Sequence, residues 1–142
     1  MGRDRVILLD GLEETIALGA QVASLLEPNM VIALSGDLGA GKTTLLQGLA
    51  AALGIYEPIV SPTFVYLQIY EAGRLPFFHF DLYRMKNSSD FLGLGFEEYF
   101  EKGGVTAIEW PERITPLLPP ATLFIYLLQE GEKRRAKLSF AL

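Results

Sequence analysis

The sequence predicts an α/β fold built as a single domain over residues 1–142, with a mixed sheet whose core is parallel and whose flanks are antiparallel hairpins. Three observations lead there. Residues 30–34 form a continuous apolar run, enter a glycine-rich loop, and emerge into a helical stripe. Residues 105–108 form a second short apolar run of the kind found in strands buried on both faces. Two further stretches, 64–82 and 123–140, each read as a pair of β-rich segments around a turn. At 142 residues, half of them apolar, the chain fits one compact domain with a sizeable core.

Each element has a local reason. Residues 6–9 read as a short strand. Asp10 is placed to cap the helix that follows, with Glu13 and Glu14 in its first turn. Ile16, Ala20, Ala23 and Leu26 fall on one face of that helix, and Pro28 closes it. The strand at 30–34 carries β-branched Val31 and Ile32. From Lys42 the period becomes helical, with Leu45, Leu46, Leu49 and Leu53 in a stripe and Gly54 where a C-terminal cap belongs. Residues 64–70 and 75–82 flank the turn Glu71-Ala72-Gly73-Arg74. Ser88 or Ser89 caps a helical stretch toward Phe100, interrupted by Gly93 and Gly95 and ended by Gly103-Gly104. The strand at 105–108 leads into Glu109-Trp110-Pro111. Residues 123–128 and 135–140 close the chain as a hairpin around Glu130-Gly131-Glu132.

The bulk properties restrict function. The net charge is −5, and the one basic cluster, Lys133-Arg134-Arg135, reads as a solvated hairpin turn. A domain that grips nucleic acid unaided usually carries a basic face, so any nucleic acid is expected to be reached through a partner. The absence of cysteine excludes disulfides, thiolate zinc sites and cysteine nucleophiles. Only four apolar residues precede Asp10, too few for a signal peptide, and no run approaches a membrane span. A cytoplasmic chain without membrane association is expected.

The loop Gly36-Asp37-Leu38-Gly39-Ala40-Gly41-Lys42-Thr43 fits G-x-x-x-x-G-K-[ST] at every fixed position. At ordinary residue frequencies a chance match anywhere in such a chain has a probability of about half a percent. A buried strand enters the loop and an amphipathic helix leaves it, so the context agrees. Triphosphate oxygens need many donors converging on one place. Glycines at 36, 39 and 41 let backbone N–H groups turn inward, and the helix N-terminus adds its dipole. The expected ligand is ATP with Mg2+, gripped by Asp37, Leu38, Gly39, Ala40, Gly41, Lys42, Thr43 and Thr44. Lys42 reaches the β- and γ-phosphates as a point charge. Thr43 offers magnesium a hard oxygen, and Thr44 donates to an inner phosphate. The fold class is therefore that of a P-loop NTPase.

Hydrolysis needs a further acidic element to hold the metal or orient water. Two apolar strands end in carboxylates, at Asp81 and at Glu109. Spacing alone does not assign their roles, and a salt bridge or helix cap is the alternative for each. Thr63, in Ser61-Pro62-Thr63-Phe64, occupies the loop where a switch threonine would lie, though an ordinary proline turn gives the same pattern. His79 is the only histidine. A packed or half-exposed structural residue is the plainer reading, with a catalytic base as the alternative.

At these residues the chain resembles the TsaE (YjeE) family, bacterial ATPases of tRNA threonylcarbamoyladenosine (t6A) formation. The segments that carry the resemblance are Gly36–Leu45, Ser61-Pro62-Thr63-Phe64, His79-Phe80-Asp81-Leu82-Tyr83-Arg84 and Ile108-Glu109-Trp110-Pro111-Glu112-Arg113. The resemblance implies an ATPase that does not itself transfer the carbamoyl group. It would bind the TsaB–TsaD pair, activating or resetting that transferase by binding and hydrolysing ATP, with tRNA met only through the complex and weak hydrolysis without the partners. It also implies roles: Glu109 as a Walker-B-like metal residue, Asp81 as a water-positioning or switch carboxylate, Thr63 in a switch-like loop, and Trp110 beside the nucleotide. Members often carry arginine where this chain has Gln47. The rival readings are a GTPase, a small nucleotide or metabolite kinase, and a non-catalytic nucleotide sensor. The first lacks its N-K-x-D segment, the second has little room for a lid, and the third shares the binding residues.

Overall fold

The computed structural model describes residues 4–37 and 41–140. Its chain runs β1 (Asp4–Leu9), α1 (Leu12–Ala23), β2 (Val31–Gly36), α2 (Lys42–Ala52), β3 (Leu67–Tyr70), β4 (Phe77–Asp81), α3 (Ser88–Gly93), a 3-10 segment (Phe96–Glu101), β5 (Val105–Glu109), a second 3-10 segment (Pro111–Leu117), β6 (Leu123–Glu130) and β7 (Lys133–Phe140). All seven strands form one sheet in the order β1-β7-β6-β2-β5-β4-β3. The pairs β6–β2, β2–β5 and β5–β4 are parallel, and β3–β4, β6–β7 and β7–β1 are antiparallel. The mixed sheet with a parallel core and antiparallel hairpins agrees with the sequence.

Two apolar layers cover the sheet. On one face α1 and α2 pack Leu18, Val22, Leu45 and Leu49 against Leu34, Ile125 and Phe77. On the other, α3 and the 3-10 segments pack Phe91 and Ile114 against Val31, Phe80 and Ile108. Successive residues of β4 and β5 serve opposite layers, so both strands are buried throughout, with His79, Asp81, Thr106 and Glu109 as their polar members. Phe80 makes edge-on or tilted contacts with Phe91, Phe96 and Tyr99 at centroid distances of 5.4, 5.2 and 6.0 Å. Aromatic pairs at these angles stabilise beyond the area they bury.

Helix α2 ends as the sequence indicates. Gly54 is left-handed at φ 92°. Its N–H donates to the Ala51 carbonyl and that of Ile55 to the Ala50 carbonyl, the paired bonds of a Schellman cap. Helix α1 departs from the expectation in two ways. Asp10 is not its cap: Gly11 holds that position without a side-chain bond, and the Asp10 N–H instead donates to the Glu14 carboxylate at 2.5 Å. The buried face is also rotated, with Thr15, Leu18, Gly19, Val22 and Ala23 inward while Ile16 is exposed. The cause is a close crossing of α1 over α2. A Cβ on Gly19 would lie 2.2 Å from the Leu45 carbonyl oxygen, and one on Gly48 2.2 Å from that of Ile16. The helices meet backbone to backbone at two glycines, and this contact overrides the apolar stripe.

Other boundaries differ for local reasons. Strand β3 starts at Leu67 rather than residue 64, because the Tyr66 N–H donates to the Pro62 carbonyl at 2.7 Å and closes a turn. Asn87, not Ser88 or Ser89, caps α3 by accepting the Asp90 N–H at 3.0 Å. Left-handed Gly95 then breaks the helix into a 3-10 segment. The basic triplet 133–135 is not the hairpin turn: it begins β7, with Glu130 paired to Lys133 across left-handed Gly131 and Glu132. Arg135 meets Glu130 at 3.5 Å. Among the described residues no helix is long and apolar enough to cross a membrane.

The helix crossing predicts a substitution effect. Gly19→Ala is expected to lower the unfolding free energy by about 2 kcal/mol, the usual cost of overpacking a tight contact. Gly93→Ala, in α3 with open space around its Cα, is expected to be neutral or slightly stabilising. Urea unfolding of both proteins checks this. Equal stability of Gly19→Ala and wild type would contradict the crossing.

Candidate functional site

The site is assembled at the ends of the parallel strands. Strand β2 delivers Gly36, whose place beside β6 leaves no room for a side chain: a Cβ would lie 2.3 Å from the Leu127 carbonyl oxygen. Gly41 is left-handed (φ 102°) and precedes α2 as its N-cap. Leu38, Gly39 and Ala40 lie outside the described residues. Asp37, Gly41, Lys42, Thr43 and Thr44 line a cavity of about 1060 Å³, and Asp81, Glu109, Thr63 and Trp110 line the same cavity. Its volume is at the upper end for small-molecule sites. The first backbone N–H groups of α2 have no partner within the helix, so this wall of the cavity presents donors, a dipole and the Lys42 ammonium together.

Another part of the lining is acidic. Asp81 and Glu109 are register partners at the ends of parallel β4 and β5, each 5% exposed. Asp81 Oδ2 accepts from Ser61 Oγ at 2.5 Å and from Thr63 Oγ1 at 2.9 Å, while Oδ1 accepts the Tyr83 N–H at 3.0 Å. The loop at 61–63 is thus tied to Asp81 by two hydroxyls. Ser61 Oγ also stands 3.3 Å from Glu109 Oε2, bridging the two acids. Glu109 Oε2 is 2.7 Å from His79 Nε2. Of the packed and half-exposed readings of His79, the structure shows the packed one, with the ring fully buried, and adds a bond to the site carboxylate.

Trp110 follows Glu109 in a left-handed conformation (φ 59°) that turns the chain out of the strand. Its ring packs on Tyr83 at 5.0 Å, and the Lys42 ammonium lies 5.2 Å from its centroid. Arg113 lies 5.7 Å from the same ring and donates to the Tyr83 carbonyl at 3.2 Å. Arg84 stacks on Phe64 at 4.4 Å. The four segments singled out in the sequence therefore converge on one cavity. Gln47, the departure noted above, is exposed on α2 and does not line it. Sequence reading passed over Tyr83, Glu112, Tyr126 and Arg134 as cavity residues. Tyr83 and Glu112 lay inside quoted segments. Arg134 and Tyr126 arrive from the β6–β7 hairpin, for which no local signal exists.

Among the described residues no group of three or more His, Asp or Glu side chains forms a metal cage. Magnesium at phosphate sites takes one or two protein ligands, the rest being water and phosphate oxygens. A threonine hydroxyl and a carboxylate in one cavity lining have the right chemistry for that mode, so Thr43 and Glu109 fit the ion.

Comparison with known proteins gives a consistent picture. The family model described as threonylcarbamoyl adenosine biosynthesis protein TsaE matches residues 9–137. A Bacillus subtilis protein named tRNA threonylcarbamoyladenosine biosynthesis protein TsaE is 43% identical over 123 residues, spanning 87% of this chain and 77% of its own. A Nostoc protein of the same name is 45% identical over 131 residues, spanning 89% of this chain and 79% of its own. The crystal structure of Bacillus subtilis YdiB superposes with a TM-score of 0.86 at 35% identity, covering 100% of this chain and 88% of that one.

The hydroxyl ties on Asp81 predict a measurable coupling. Thr63→Val is expected to cost about 1–2 kcal/mol of unfolding free energy, as for a hydrogen bond to a charged group. In an Asp81→Ala background that cost is expected to shrink by at least about 1 kcal/mol. Additive effects in the double-mutant cycle would mean that the bond contributes nothing.

Proposed function

Because the chain belongs to the TsaE family of threonylcarbamoyladenosine biosynthesis proteins, we propose that it is the ATP-binding and ATP-hydrolysing subunit of the tRNA t6A machinery. In this reading it acts in the cytoplasm on a TsaB–TsaD transferase pair and meets tRNA only through that complex. The observation that carries the reading is the meeting of two groups in one cavity lining: the α2 N-terminus with Lys42 and Thr43, and the paired carboxylates Asp81 and Glu109. A donor-rich helix end suits a triphosphate, and carboxylates in the same lining suit the metal that travels with it.

The chain's own residues then divide the work. Backbone N–H groups of α2 and the Lys42 ammonium bind and orient the β- and γ-phosphates. Thr43 and Glu109 hold magnesium, which when bound neutralises charge developing on the phosphate oxygens. Of the four lone-pair sites on Asp81, three already accept bonds. That favours Asp81 as the switch carboxylate that holds the 61–63 loop over its reading as a water-positioning group. Release of Ser61 and Thr63 from Asp81 would free their hydroxyls for the nucleotide side and alter the surface around Phe64. The nucleotide is taken as ATP, since the chain has no N-K-x-D segment to read guanine.

Three variants test this by calorimetry with MgATP and by phosphate release in the presence of TsaB and TsaD. Lys42→Ala is expected to lose most ATP affinity; affinity within about threefold of wild type, under 1 kcal/mol, contradicts the phosphate-loop assignment. Glu109→Ala is expected to bind nucleotide with little dependence on magnesium. Asp81→Ala is expected to retain binding while losing turnover. Normal turnover by Asp81→Ala together with normal magnesium dependence in Glu109→Ala would reverse both roles.

A further inference from the structure

We infer that His79 is a positioning residue that fixes the Glu109 carboxylate for metal binding, an inference that rests on the proposed nucleotide site. His79 pairs in register with Ala107, and Glu109 lies two residues further along β5 on the same face. The small Ala107 side chain leaves the diagonal open, so the imidazole reaches Glu109 Oε2 at 2.7 Å. The ring is fully buried and stacks on Phe77 at 6.1 Å with an interplanar angle of 13°, which keeps water from its flank.

Hydrogen bonding fixes the direction of the contact. Nδ1 is buried and has no partner among the described residues. A proton there would be a buried donor without an acceptor, which is costly. The ring proton therefore sits on Nε2, and His79 donates to Glu109. This matters because Glu109 stands beside a second carboxylate, Asp81, whose two hydroxyl donors come from the loop residues Ser61 and Thr63. The His79 donor comes instead from a buried strand and does not depend on that loop. It occupies Oε2 of a residue that lines the cavity. Hydrogen-bond partners of metal-ligating side chains set ligand orientation, and their loss weakens metal affinity by about 10- to 100-fold.

The test is the magnesium dependence of ADP affinity, measured by calorimetry with magnesium and again with EDTA, so that no turnover is needed. Wild type, His79→Phe, His79→Asn, His79→Gln and Lys42→Ala are compared, with thermal melting as the check on folding. His79→Gln carries an amide donor at the reach of Nε2 and is expected to keep the wild-type gain in affinity on adding magnesium. His79→Asn is one bond too short, and His79→Phe has no donor. Both are expected to lose about tenfold or more of that gain while binding metal-free ADP as wild type does. The Gln and Asn variants decide the matter even where the Phe variant melts early. Equal magnesium dependence in Gln and Asn overturns the role of His79, and with Lys42→Ala binding lost, it leaves the nucleotide site intact. Wild-type ADP affinity in Lys42→Ala overturns the nucleotide site, and the inference with it.

Discussion

Parallel registration of β2, β4 and β5 is the constraint on which the rest of the site depends. Leu34 pairs with Glu109, and Asp81 with Glu109, so β4 and β5 finish at one level and β2 runs two residues further, to Gly36. Strand β2 continues there into the phosphate loop, while its neighbours offer carboxylates. In an open α/β sheet this edge, beyond the carboxyl ends of the strands, is where ligands bind. Two nearly buried acids side by side would repel, and burying each costs free energy. Hydrogen bonds offset that cost: two hydroxyls and an N–H on Asp81, an imidazole on Glu109, and Ser61 between them. The acidic wall is thus held together by the donors that surround it.

The phosphate-loop side of the cavity is set by packing. The N-terminus of α2 can point into the cavity only if the helix lies close to the sheet and to α1. Gly19 and Gly48 permit that approach, and Leu45, Leu46 and Leu49 anchor the helix below. Stability and chemistry share these residues. A change at Gly19, distant in sequence from the loop, is also a change in where the donors of α2 are aimed.

Legibility in the sequence followed the range of the interactions. The phosphate loop was legible because glycine, lysine and threonine at fixed spacing answer to one chemical demand. The strands ending in Asp81 and Glu109 were legible as apolar runs closed by acids, and the hairpins as turn signals between β-rich segments. The inward face of α1 was not, since its rotation follows from Gly19 meeting α2, a contact between separate elements. The caps at Gly11 and Asn87 turned on a choice between adjacent polar or small residues. Strand β1 gave no hint that it would pair with β7. Arg134 and Tyr126 reach the cavity only because β6 lies beside β2. His79 was legible only as a packed or half-exposed structural residue, and its bond to Glu109 required the register of β4 on β5.

The central claim is that the end of β5 and the phosphate loop belong to one nucleotide site. Trp110 reports on it, being the only tryptophan, next to Glu109 and 5.2 Å from the Lys42 ammonium. Binding of ADP phosphates by Lys42 would draw the ammonium from the indole and change its surroundings. The decisive measurement is Trp110 fluorescence during an ADP titration, with Lys42→Ala as control. The account predicts a saturable change in wild type that is absent from the control. An unchanged spectrum, with binding established by calorimetry, would contradict it.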